Sequence, residues 1–476
     1  MIFNSIQFAV FFLIVYVLYL LLDHKGQNRM LLLASYIFYG AWDYRFLSLI
    51  FISTIIDYHC GIRIHESNNA GTRKKFLFLS VFANLGILGF FKYFNFFAGS
   101  LSSFLYVFGF SADFRFLFIV LPVGISFYTF QTMSYTIDIY RRQLKPTHDF
   151  PDFALFVAFF PQLVAGPIER AKRLLPQLLK PRKVTLDSFY KGSYLIAWGL
   201  FQKVFVADNL AKIVDSVFTG VAPYEGALVL MSLYAFAFQI FCDFAGYSNI
   251  ARGLGKCMGI ELMVNFKLPY FATNPREFWQ RWHISLSTWL RDYLYISLGG
   301  NRRGELTTCR NLAITMFLGG LWHGASWTFV LWGVFHGLLL IIHRFIDKRK
   351  HIFPQLRIKF IERLWFYLRV IFFFHLVCLG WLIFRAESFN QIGQMLSAII
   401  FNFNLSFTPE IFLIADKIIF YISVLFFVQI FQYRKNDLMY MFKTPLAVRV
   451  IFYFICVLLF LIFGAYGGRE FIYFQF

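Results

Sequence analysis

Apolar runs recur through the whole chain, near 1–22, 30–42, 46–62, 76–97, 116–137, 190–207, 227–246, 325–343, 365–384, 411–432 and 446–466. A helix rises 1.5 Å per residue, so about 20 apolar residues cross a hydrocarbon core about 30 Å thick. The pattern predicts an all-α polytopic membrane protein with about 11 transmembrane helices. Composition agrees: 59% of the residues are hydrophobic and 15% charged, with a mean hydropathy of +0.62. A soluble chain of this size needs far more polar surface, so the apolar excess must face lipid. The 67 Phe residues suit lipid-facing helices. The first run, 1–22, reads as a retained span and not as a cleaved leader.

A net charge of +20 would suggest nucleic acid in a soluble protein. Here the cations sit in short loops between apolar runs, which is the positive-inside pattern. No basic segment carries the interleaved aromatics and glycines of a nucleic-acid binder, so the expected partner is the lipid bilayer and not nucleic acid. The richest loops are 63–75, 141–145, 170–183, 344–363 and 434–449. If all face the cytoplasm, an even number of crossings separates each pair. That parity holds if the short runs 152–165 and 311–322 enter and return, because a 12-residue helix covers only about 18 Å. It also makes 248–309 cytoplasmic. Trp322-His323-Gly324 then lies at the buried tip of a hairpin formed by 311–322 and 325–343. Six scattered cysteines without a CxxC pair read as buried thiols. With no internal repeat or low-complexity linker, 1–476 is expected to form a single membrane domain.

Four segments could carry chemistry. In 273–298, Asn274, Pro275 and Glu277 make a helix start with a capping box. The pattern predicts a continuous amphipathic helix, with Phe278, Trp279, Trp282, Leu286, Trp289, Leu290 and Tyr293 on one face and Arg281 on the other. His283 sits at the edge of the apolar stripe. Such a helix is either an interfacial anchor or the roof of a site, with Arg281 and His283 directed at a ligand.

In 317–337, Gly319, Gly320 and Gly324 permit close backbone approach around His323. An ionisable residue between apolar runs is expensive and marks a functional site by default. A neutral imidazole can serve there as a base near physiological pH. His336 and His343 share a helix face and read as structural.

Asp243 and Tyr247 end an apolar span, and a carboxylate at that depth must either pair structurally or orient a catalytic histidine. In 159–178, Pro161, Gly166 and Pro167 break an apolar run, leaving irregular backbone that must be buried in protein. Six Lys/Arg follow, as an anchoring loop or as a cationic entrance for an anionic donor such as coenzyme A. GxSxG, P-loop and HExxH motifs are absent, and the histidines have no third partner at metal-ligand spacing, so no metal is expected.

Taken together, LPVGISFYTFQTMSYTIDIYR (121–141), FPQLVAGPIERAKR (160–173), FCDFAGYSNIARGLGKCMGI (241–260), NFKLPYFATNPREFWQRWHISLSTWLRDYLY (265–295) and GGLWHGASW (319–327) resemble the membrane-bound O-acyltransferase family. The likeness is to its bacterial branch typified by alginate O-acetylation proteins. GWLIFRAESF (380–389) and FIYFQF (471–476) extend it across almost the whole chain.

The resemblance implies helices around a central tunnel, with donor entering from the cytoplasm and acceptor from the far side. It makes His323 the catalytic histidine and His283 the second catalytic position. Arg281, Trp279, Trp282, Asp243, Tyr247, Asn265 and Trp322 are read as substrate- or donor-binding candidates. The expected reaction moves an acetyl group from a cytoplasmic thioester, acetyl-CoA, toward hydroxyls of an extracytoplasmic polysaccharide, with no bound cofactor. It places the chain in a bacterial inner membrane beside a periplasmic SGNH-hydrolase-like acetyl-transfer partner. The alternatives are D-alanyl transfer to teichoic acid, a non-enzymatic acyl transporter or flippase, and a scaffold without chemistry. A transporter would call for inverted repeats, which the sequence lacks.

Overall fold

The computed structural model describes residues 1–110, 119–164, 166–348, 359–404, 408–467 and 469–472. Parts of the expected span 116–137, of the basic loop 344–363 and of the motifs at 160–173 and 471–476 therefore lie outside the described residues. Every regular element among the described residues is helical, as the apolar pattern predicts. Among the described residues, seven stretches are long and apolar enough to cross a membrane: 24–66, 70–107, 226–257, 327–348, 360–385, 411–435 and 446–463. The stretch 24–66 takes in two of the expected runs, 30–42 and 46–62, as the helices His24–Asp43 and Leu47–Glu66, and the expected run 116–137 lies partly outside the described residues. The run at 1–22 forms a helix of only 16 residues, and the run at 190–207 ends in a π-helical turn, Phe201–Ala207. Four of the six free thiols are buried.

The chain folds as two compact units, 1–196 with 248–263, and 197–247 with 264–476. The first unit contains α1 (Ile6–Leu21), α2 (His24–Asp43), α3 (Leu47–Glu66), α4 (Ala70–Leu88), α5 (Phe94–Val107), α6 (Ile125–Tyr140), α7 (Phe150–Ala158), α8 (Phe160–Leu163), α9 (Ala171–Leu178) and most of α10 (Leu186–Leu200). Helices α3, α4 and α6 pack together around a polar core. The Asp57 carboxyl accepts from Ser80 Oγ at 2.5 Å and Asn84 Nδ2 at 2.8 Å. Asn84 Oδ1 accepts in turn from Ser53 at 2.9 Å and Thr132 at 3.1 Å. Buried polar groups on apolar helices must be matched in this way, because hydrocarbon offers no substitute partners.

The short run at 152–165 becomes α7 and α8, broken at Phe159, and residues 153–163 are buried. Irregular backbone there is satisfied by protein: Gln131 and Gln162 donate to the Phe156 carbonyl, and Phe160 N–H donates to Ser35 Oγ at 3.1 Å.

The second unit holds α11 (Asp208–Phe218), the first part of α12 (Gly226–Cys257), α13 (Pro275–Arg281), α14 (Ile284–Trp289), α15 (Glu305–His323), α16 (Trp327–Lys348), α17 (Lys359–Arg385), α18 (Phe389–Phe401), α19 (Pro409–Lys435) and α20 (Leu446–Phe463). The expected helical hairpin exists as α15 and α16. They cross at Gly320 and Gly333, where a Cβ on either glycine would fall 2.3 Å from a carbonyl oxygen of the other helix. Only hydrogen fits at that crossing, as in small-residue packing of membrane helices.

Candidate active site

His323 is the last residue of α15, and Gly324 leaves the helix in an extended conformation. This termination places the imidazole, 4% exposed, among rings. Trp332 from α16 stands edge-on at 4.8 Å, Trp322 at 5.1 Å and Phe384 from α17 at 5.6 Å between ring centroids. Packed aromatic walls of this kind exclude bulk water from the histidine.

The second histidine owes its position to a helix break. Helix α13 starts at the expected Asn274 cap, with Glu277 N–H donating to Asn274 Oδ1 at 2.9 Å, while the Glu277 carboxylate reaches one residue further back than a capping box and accepts from Thr273 N–H at 2.8 Å. The continuous helix expected from 275 onward does not form. Trp282 is extended, and His283 is left-handed with φ +41° and ψ 55°. That conformation costs a non-glycine residue about 1–2 kcal/mol and persists only where surroundings enforce it. Asn265 does the enforcing. Its carbonyl accepts from Ile284 N–H at 3.0 Å and its side-chain Oδ1 accepts from Ser285 N–H at 3.2 Å. Those are open donors at the start of α14, so a residue remote in sequence supplies the cap that His283 itself does not make. Lys267 N–H, donating to the Arg281 carbonyl at 2.9 Å, ties the same two segments together.

The break turns His283 inward to full burial. Its ring stands 4.6 Å edge-on from Phe244 and 5.9 Å from Trp322. Trp322 therefore lies against both histidines. Burial pushes the His283 imidazole down to about 3, so it is neutral at physiological pH and can offer one N–H.

The remaining candidates divide by location. Trp279 packs on Trp332 at 5.7 Å and on His336 at 5.2 Å, while Trp282 packs on Trp381 at 4.8 Å and on Phe266 at 5.0 Å. Both belong to the aromatic wall. Arg281 is bound to Glu277 at 2.6 Å and lies over the Tyr433 ring at 5.9 Å, and so braces α13. Asp243 is paired with Lys203 at 2.6 Å, the structural alternative, and Tyr247 packs on Phe471 at 4.9 Å.

Trp332, Trp381, Phe384 and Phe244 complete the wall without having been singled out in the sequence. The indole N–H groups of Trp279, Trp282, Trp332 and Trp381 are buried without a hydrogen-bond partner among the described residues. Such donors are rare in a finished core and suit a chamber that receives a polar occupant. Acyl transfer requires a base and donors for a developing oxyanion, and the enclosure holds two buried imidazoles against one tryptophan together with buried indole N–H groups.

Residues 42–384 match the membrane-bound O-acyltransferase family, MBOAT. The chain is similar to the probable alginate O-acetylase AlgI of Pseudomonas putida, 45% identical over 84% of this chain and 80% of that protein. The protein of the same name from Azotobacter vinelandii is 45% identical over 84% of this chain and 78% of its own length. A peptidoglycan O-acetyltransferase of Helicobacter pylori is 35% identical over 84% of this chain and 80% of that protein.

Proposed function

The chain belongs to the membrane-bound O-acyltransferase family, and from that premise we propose that it moves acetyl groups from cytoplasmic acetyl-CoA toward hydroxyls of an extracytoplasmic polysaccharide of the alginate type. The observation that carries the site assignment is the pair of buried histidines, His323 and His283, whose rings both lie against Trp322.

In this reading His323 is the general base. It takes the proton from the attacking hydroxyl as the oxygen closes on the acyl carbon. The resulting imidazolium lies at the C-terminal end of α15, where the partial negative charge of the helix favours a cation. The neutral His283 offers its N–H to the carbonyl oxygen as negative charge develops there, and buried indole N–H groups supply further donors. The thiolate of CoA leaves once the tetrahedral intermediate collapses, and His323 returns its proton. Rings from Trp332, Trp381 and Phe384 keep water from the acyl group, which suppresses hydrolysis of the thioester.

The seven apolar stretches make it a multi-pass membrane protein, and the basic loops favour a bacterial inner-membrane setting with the donor side in the cytoplasm. A periplasmic SGNH-hydrolase-like protein is proposed as the partner that carries acetyl onward to the polymer. The purified chain should release free CoA from acetyl-CoA, with glycan acetylation restored on adding that partner. A chain that binds acetyl-CoA but never cleaves it would be a carrier, and the reading would fail. Full polymer acetylation by the chain alone in liposomes would remove the partner from the scheme.

A further inference from the structure

A second buried charge cluster lies in the unit that holds the histidines. Lys203 sits in the π-helical turn Phe201–Ala207, in the middle of the apolar sequence LIAWGLFQKVFVADNL. π-helical turns are frequent at functional sites. The Lys203 ammonium pairs with Asp208 at 2.8 Å and with Asp243 at 2.6 Å, and all three side chains are nearly fully buried. The approach of α12 to this turn depends on Gly246, where a Cβ would fall 2.7 Å from the Gly199 carbonyl.

The cluster holds more than helices. The described residues that end α20 and follow it are tied to the cluster and its helix at several points. Asn209 Nδ2 donates to the Phe463 carbonyl at 2.8 Å, and Ala465 N–H donates to the Val204 carbonyl at 3.1 Å. Arg469 pairs with Asp215 at 2.6 Å. Lys203 Nζ donates to the Glu470 carbonyl at 3.4 Å, and Ile472 N–H donates to Asp243 Oδ2 at 2.6 Å. These last two bonds fix Phe471 between them.

Phe471, 2% exposed, lies 4.9 Å from the Tyr247 ring and 5.4 Å from the Phe244 ring. Phe244 is the ring that stands 4.6 Å edge-on against His283. A continuous series of contacts thus runs from Lys203 and Asp243 through the backbone at 470–472 to Phe471, Phe244 and the imidazole. The Asn265 bonds hold the His283 backbone, while its fully buried ring rests on the rings around it, Phe244 among them.

We propose that the segment 469–472 is a strap that sets the position of His283, and that Lys203 is the positioning residue that fixes the strap. The inference rests on the reading of His283 as part of the acyl-transfer site. A charged triad suits the task because its geometry is tight where an apolar contact would tolerate sliding. Breaking it leaves uncompensated carboxyls, so the strap has one strongly preferred seat. Misplacing a catalytic group by about 1 Å can cost about 100-fold in rate.

The experiment is a double-mutant cycle on CoA release from acetyl-CoA, using full-length protein in detergent or liposomes. Phe471→Ala should lower kcat about 10- to 100-fold and leave the KM for acetyl-CoA within about twofold, a change confined to kcat that general loosening would not give. In a His283→Ala background the same substitution should add almost nothing, because the ring it positions is gone. Lys203→Met, which is also destabilised, should show the same loss of kcat per folded protein as Phe471→Ala when assayed below its inactivation temperature, and Lys203→Arg should recover part of the rate. Should Phe471→Ala fail to insert, Phe471→Leu keeps an apolar side chain, loses the ring contact and reads the same cycle. Wild-type kcat in the Phe471 variant, or losses that multiply fully with His283→Ala, would overturn the strap proposal alone. Unchanged turnover in His283→Ala itself would overturn the reading beneath it as well.

Discussion

Asp57 and Asp243 are both buried carboxyls on apolar helices, one in each unit, and they are held in different ways. Asp57 is met by neutral groups, Ser80 and Asn84, which belong to a hydrogen-bonded set shared by α3, α4 and α6. Asp243 is met by a cation, Lys203, and by the backbone N–H of Ile472, 229 residues away in sequence. The first arrangement joins helices that already pack side by side. The second ties a distant segment to the wall of the histidine site. Neutral networks can rearrange when one member is changed, whereas a buried ion pair cannot lose one partner without leaving a charge stranded.

That difference can be broken experimentally at the cation. Lys203→Met strands two carboxylates and should cost about 3–5 kcal/mol of stability, read as a large drop in thermal inactivation temperature in detergent. Asp57→Ala leaves the Ser80 and Asn84 donors unmatched and should cost less, about 1–3 kcal/mol, with turnover of the surviving protein unchanged. Asp57→Asn keeps a hydrogen-bonding side chain of the same shape and should stay within about 1 kcal/mol of wild type. Equal losses for Lys203→Met and Asp57→Ala would erase the distinction between the two arrangements.

Glu169 sharpens the comparison as an intermediate case. It is fully buried and accepts from the Met263 N–H, with Arg173, Arg170 and Arg252 acting on it through space. Burial outweighs those cations and pushes its carboxyl up from an ordinary 4.5 to about 7. The folded state therefore holds a proton that the unfolded state releases. Its stabilising contribution is complete below about pH 4.5 and is lost as pH rises through about 7. The melting temperature of wild type should fall relative to Glu169→Gln between pH 5 and pH 8. A constant difference between the two across that range would contradict the assignment.

How much of this could be read from the sequence depends on the distance over which each feature is determined. The helical hairpin around Trp322-His323-Gly324 was legible because glycines and an isolated histidine between apolar runs are local signals. The helix start at Asn274 was legible for the same reason. The break at Trp282–His283 was not, since neither glycine nor proline marks it and the partner that holds it open, Asn265, comes from another segment. The aromatic pattern there is helical in period, and tertiary contacts override it. Lys203 did carry a signal, a lone cation within an apolar run. Its pairing with Asp243 joins positions 40 residues apart, and spacing alone could not supply that. The division into spans was harder to read: the runs 30–42 and 46–62 join in one stretch, the run at 1–22 gives a helix of only 16 residues, and the run at 190–207 ends in a π-helical turn that hydropathy does not register.

The central claim is that His323 is the base for acyl transfer, and its most direct test is turnover of acetyl-CoA by purified His323→Ala protein. General base catalysis contributes about 10²–10⁴-fold, so the account predicts a loss of at least about 100-fold in CoA release, with membrane insertion and elution in detergent like wild type. A variant that keeps more than about a tenth of wild-type turnover would show that the proton goes elsewhere, and the assignment of His323 would be wrong.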